Sequence, residues 1–159
     1  MNPNDLREEI AIELEAMKQT LDELTALLHD VTGRQATTRE LAAAGLFLAN
    51  LYNAVENILK RICKYHSVDI PAGPNWHMEL ARSFSDPPNQ ALPTLLNEKL
   101  ARDLAPYRQF RHVVHHGYGF QLKWQDMLPG INGAKDVMSR FQKAVEAHLK
   151  AIDSAVREE

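Results

Sequence analysis

The sequence predicts an all-α protein, a bundle of four long helices with one short helix between the second and the third. Three observations lead there. Apolar residues recur at three- and four-residue steps through four long segments, the spacing that puts them on one face of a helix. No stretch alternates apolar and polar residues at the period of a strand, and the chain has no internal repeat or low-complexity tract. Glycines and prolines gather between the periodic segments rather than throughout them. With 159 residues, 45% of them hydrophobic and 25% charged, the chain fits one folded domain spanning 1–159.

The first helix is expected over about 4–32, where Leu6, Ile10, Leu14, Met17, Leu21, Leu24 and Leu28 form a stripe close to a heptad pattern. Asp5 and Glu8 suggest a capping box at its start, and Gly33 a stop at its end. The second helix opens at Thr37 or Thr38, with Glu40 reaching back, and buries Leu41, Ala44, Leu48, Leu51, Val55, Ile58 and Ile62. Alanines and Gly45 near its start permit the close approach of a neighbour. Prolines 71, 74, 87, 88 and 93 break up the next part, within which a short helix is expected over about 75–84, capped by Asn75. Pro93 suits the first turn of a helix over about 93–115, bent or broken at Pro106. A loop containing Tyr118, Phe120 and Trp124 is expected over 117–131, and a last helix from near Asn132 to about Val156.

Bulk properties exclude several classes of function. No apolar run approaches the roughly 20 residues that cross a bilayer. The polar, acidic start MNPNDLREEI lacks the basic and apolar regions of a secretory signal, so the expectation is a cytoplasmic protein that uses no membrane. The single cysteine, Cys63, forms no internal disulfide and reads as a small buried hydrophobe. A net charge of -3 argues against broad binding of nucleic acid by a basic surface, while leaving room for a local basic cleft.

Such a cleft has a candidate segment. Between Leu104 and Gln125 there is no Asp or Glu, yet Arg108, Arg111, His112, His115, His116 and Lys123 all fall there. The mixture suits work on a phosphodiester. The guanidinium fork matches phosphate oxygens, imidazole exchanges protons near neutral pH, and a tyrosine stacks on a base or bonds a phosphate. Arg111 and His115 lie four apart and share a helix face. Arg111 and His116 lie about 140° apart on a straight helix and converge only where the helix ends, which Gly117 and Gly119 favour. Geometry alone therefore leaves His115 in competition with His116. The pair His112 and His116, four apart, has metal-ligand spacing, but no third ligand is suitably spaced, and no metal or other cofactor is expected. A plainer account of Arg111 and His116 is a surface arginine and a histidine that complements the helix dipole.

Arg111, four residues, His116, one residue and Tyr118 match the pattern RX4HXY, and this resembles the HepT-like branch of HEPN ribonucleases. The order of elements is similar to that fold, and YNAVENILKRI at 52–62 resembles its second helix. The resemblance implies a small HEPN-like helical toxin that forms a homodimer, with two motifs making one metal-independent RNA-cutting cleft. It implies that His116 moves the proton and Arg111 steadies the phosphoryl charge. It further implies a nucleotidyltransferase antitoxin of the MNT type that silences the toxin by adding AMP to Tyr118. His112, His115 and Arg108 are supporting candidates for RNA binding, and Glu56 or Asn53 for the polar second-helix residue behind the site. The alternative is a non-catalytic HEPN-like module that binds RNA or a protein partner, suggested by the acidic charge and the heptad-like first helix.

Overall fold

The computed structural model describes residues 1–85, 91–117 and 122–158. The described chain is helical, with no strand: α1 spans Pro3–Val31, α2 Thr38–Tyr65, α3 Trp76–Ser83, α4 Glu98–His115 and α5 Trp124–Glu158. It is a HEPN-like bundle of four long helices and one short one. None of the described helices is long and apolar enough to cross a membrane.

Helix α2 is the hub, packing against every other helix. Its buried residues include the expected stripe from Ala44 to Ile62 and also Ala49, Tyr52, Leu59 and Cys63, so apolar side chains run most of the way round it. A helix covered on several sides needs such a broad apolar surface, whereas one resting on a single neighbour needs only a stripe. Leu6, Ile10, Met17 and Leu24 of α1, Leu80 of α3, Leu100, Leu104 and Tyr107 of α4, and Phe141 and Val145 of α5 complete the core around it.

The helix ends explain most differences from the sequence-based expectation. At α1 the cap is Asn2, whose Oδ1 accepts from the amides of Asn4 and Asp5 at 2.8 and 3.0 Å. Asp5 closes the box by accepting from the Asn2 amide, and Pro3 fills the first turn, so the expected Asp5–Glu8 pair is displaced one turn toward the N-terminus. At α2 the cap is Thr37, paired reciprocally with Glu40. Arg34 grips the same Glu40 and holds its carboxyl down at about 2. Gly33 takes a φ of +82°, the left-handed turn beyond α1.

Asn75 makes no side-chain cap at α3. Helix α4 begins at Glu98 and not at Pro93, because the preceding segment is tied elsewhere: Leu96 donates its amide to the Phe84 carbonyl, while Leu92, Leu95 and Leu96 are buried. Asn97 then caps the helix, accepting from the Leu100 amide at 2.8 Å. It continues as one helix through Pro106. The larger correction concerns α5, which starts at Trp124, eight residues before the expected Asn132, and takes in Pro129 and Gly130. Met127, Ile131 and Ala134 extend the apolar stripe of Val137 and Phe141 back through that segment. Their burial outweighs one hydrogen bond lost at Pro129.

Candidate active site at the end of helix α4

The acid-free segment forms the second half of α4 and the turn that follows it. The helix ends at His115, His116 leaves helical geometry at φ -90° and ψ 6°, and Gly117 turns left-handed at φ +74°. Leu122, on the far side of this turn, packs onto Gly45 of α2: a Cβ on that glycine would lie 2.5 Å from the Leu122 Cδ1. The small residue near the start of α2 therefore seats the chain returning from the site, and Val114 of α4 also approaches it, 3.5 Å from the same Cβ position. Tyr118, Gly119 and Phe120 lie outside the described residues.

Arg111 points away from the turn, toward α2 and α3. Its Nε–H donates to Asn53 Oδ1 at 2.7 Å, and Glu56 Oε1 lies 2.9 Å from the same nitrogen as an ion-pair partner. Asn53 and Glu56 are three residues apart and so share one face of α2. The Glu56 side chain is only 3% exposed and the Arg111 side chain 20%. A carboxylate this deep is tolerable only when paired and fully bonded. Its second oxygen, Oε2, faces His77 Nδ1 on α3. His77 Nε2 in turn lies 3.3 Å from Arg111 Nη1. The Trp76 ring sits on the His77 ring with centroids 3.5 Å apart, and Lys60 Nζ lies 4.3 Å from the centre of the indole. Arg111 Cζ is 5.9 Å from the same ring.

His116 turns the other way. Its Nδ1 lies 2.8 Å from the His112 carbonyl, and the two imidazoles stack with centroids 4.0 Å apart. A carbonyl only accepts, so His116 carries a proton on Nδ1 and its neutral form has the lone pair on Nε2. Gly117 and His116 are exposed, as are His112 and His115. Arg108, one turn before Arg111, sets its guanidinium beside the phenol of Tyr52. Burial pushes that phenol's pKa up while the guanidinium pulls it down. Among the described residues no three His, Cys, Asp or Glu side chains converge as metal ligands.

The fold thus brings Asn53 and Glu56 to Arg111, and His112 to His116. It gives Arg108 a partner on α2 and leaves His115 at the surface. His77 had no signal in the sequence: it lies in a proline-broken stretch 34 residues before Arg111, and only the docking of α3 on α2 brings it there. The same is true of His66 and His148, which are 82 residues apart in sequence and have their Nε2 atoms 3.2 Å apart.

Compared with known families, residues 43–152 match the one described as HepT-like protein. The match runs from within α2 to within α5 and includes Asn53, Glu56, Arg111 and His116. The chain belongs to the HepT-like family, whose fold is of the HEPN toxin type and whose members are in general ribonuclease toxins. No curated protein and no solved structure matches it.

Proposed function

We propose that the chain is a metal-independent endoribonuclease toxin of a HEPN/MNT toxin–antitoxin pair. Two copies bring their α4 ends together, and the composite cleft cuts RNA. One observation carries this reading: Arg111 is held in a polar network against α2, one turn before a helix end that presents His116 with its lone pair on Nε2.

The chemistry needs a base, an acid and a fixed positive charge. His116 Nε2 takes the proton of the RNA 2′-OH as the bond from O2′ to phosphorus forms. The bond from phosphorus to O5′ breaks, and O5′ takes a proton from an imidazolium. One imidazole cannot be base and acid in the same step, so a cleft with a second His116, from the other copy, supplies the missing partner. Arg111 binds the non-bridging oxygens as their charge grows. The products are a 2′,3′-cyclic phosphate and a 5′-hydroxyl. AMP on Tyr118, two residues beyond His116, adds bulk and negative charge where the RNA phosphate must sit. A nucleotidyltransferase partner placing it there acts as the antitoxin.

The test incubates wild-type protein and His116→Ala with total RNA in excess EDTA, and sequences the cut ends. Cleavage by the wild type alone, with cyclic phosphate ends, is expected. No cleavage by wild type whose intact mass carries no adenylate would overturn the enzymatic reading in favour of a binding module.

A further inference from the structure

We infer that His77, delivered by the short helix α3, is a positioning residue that fixes the plane of the Arg111 guanidinium. The inference rests on the reading of Arg111 as the group that grips the RNA phosphate.

Donors and acceptors settle the arrangement. A guanidinium has no acceptor. The 3.3 Å contact between Arg111 Nη1 and His77 Nε2 therefore places the imidazole lone pair on Nε2 and its proton on Nδ1. That proton points at Glu56 Oε2, a carboxylate oxygen able to receive it. Glu56 Oε1 lies 2.9 Å from Arg111 Nε as its ion-pair partner. The three side chains thus form a closed ring of two hydrogen bonds, Arg111 to His77 and His77 to Glu56, completed by the ion pair between Glu56 and Arg111. The reverse tautomer would set two donors against each other at Nη1 and leave Nδ1 facing a buried carboxylate without a proton. The Trp76 ring, 3.5 Å from the His77 ring between centroids, limits the tilt of the imidazole.

The ring does what Asn53 and Glu56 do not do alone. Both of those partners meet Arg111 at the same atom, Nε. Held at one atom, the planar group keeps freedom to turn. A second hold at Nη1 fixes the plane and with it the direction of Nη2, which meets no partner among the described residues. A fork that must match two phosphate oxygens binds best when its plane is set beforehand. The short helix in the proline-rich connection is then part of the site, because it supplies the second hold.

The test uses full-length His77→Ala, His77→Gln and His77→Asn, with two readouts. One is RNA cleavage, resolved into kcat and KM. The other is hydrogen exchange at the Arg111 Nε–H, followed by nitrogen-15 NMR. His77→Ala is expected to lower kcat about tenfold with KM little changed, and to speed exchange at Arg111. Glutamine carries a carbonyl at the reach of Nε2 and should recover part of both. Asparagine reaches Glu56 alone and should not. Wild-type kcat and exchange in His77→Ala would overturn the inference. So would a loss of rate that tracks only the folded fraction, with exchange in that fraction unchanged. Should alanine prevent folding, equal rates and equal exchange in the glutamine and asparagine variants would overturn it. If the wild type cuts no RNA, the ribonuclease reading falls, and Arg111 exchange still decides whether His77 holds the guanidinium.

Discussion

At the residue scale, the defining feature is one carboxylate serving two cations or donors from different helices. Glu56 is nearly inaccessible, and both of its oxygens are engaged. Removing it takes the charge partner from Arg111, itself mostly covered, and leaves the guanidinium with only the neutral Asn53 and His77 of this network. Breaking a buried pair from one side costs about 3 kcal/mol or more, far beyond what an exposed ion pair is worth. Glu56→Ala should therefore lower the unfolding free energy in urea by about that amount. The surface pair Lys99–Asp103, with the lysine 66% exposed, has no comparable value. A Glu56→Ala protein as stable as the wild type would mean that Arg111 finds water or another partner without cost. Asn53 and Glu56 were legible as candidates only through the resemblance, since the pattern alone leaves several polar positions interleaved with the apolar stripe of α2. Which way each points was not legible, since the face a residue presents depends on what packs against it.

At the element scale, helix ends carry the information that periodicity lacks. The stripe of α4 reads correctly from Leu100 onward, but its start depends on one side chain, Asn97, capping the Leu100 amide. Asn97→Ala should cost about 1 kcal/mol, and a thermal melt would show it as a drop of a few degrees. An unchanged melting temperature would mean that the buried Leu92, Leu95 and Leu96 alone determine where the helix begins. Helix α5 teaches the converse. Pro129 and Gly130 are breakers in isolation, yet Tyr107 donates to the Gly130 carbonyl at 2.6 Å and Met127 and Ile131 are buried on either side. Burial also pushes the Tyr107 phenol up to about 12, so it remains a donor throughout the useful pH range. Tertiary contacts of this kind override local propensity, and no reading of 124–131 by itself reveals them.

At the scale of the whole molecule, two histidines tie the end of α2 to the last helix. His148 is pulled down from 6.5 to about 4, mainly by burial and secondarily by the charge of His66, and burial lowers His66 as well. In the unfolded chain both take up protons near pH 6.5, while in the folded chain His148 resists until about pH 4. The unfolded state thus binds more protons between those values. Stability contributed by the neutral pair is complete above pH 6.5 and is lost progressively as the pH falls toward 4. For His148 the ceiling is about 3 kcal/mol. Urea unfolding at neutral and mildly acidic pH should show this slope in the wild type and a flatter one in His148→Gln. Equal slopes would mean that the pair opens to solvent before it titrates.

By itself the sequence determined the helical class, the core stripes of the four long helices and the segment in which Arg111 and His116 stand. These follow from spacing along a single chain direction, where a side chain's neighbours are the residues three and four away. The tertiary structure decided what depends on distant partners. It turned Arg111 toward α2, brought His77 across from α3, and paired His66 with His148. A polar side chain is oriented by the donor or acceptor it must find once buried, and that partner is supplied by whichever element packs against it.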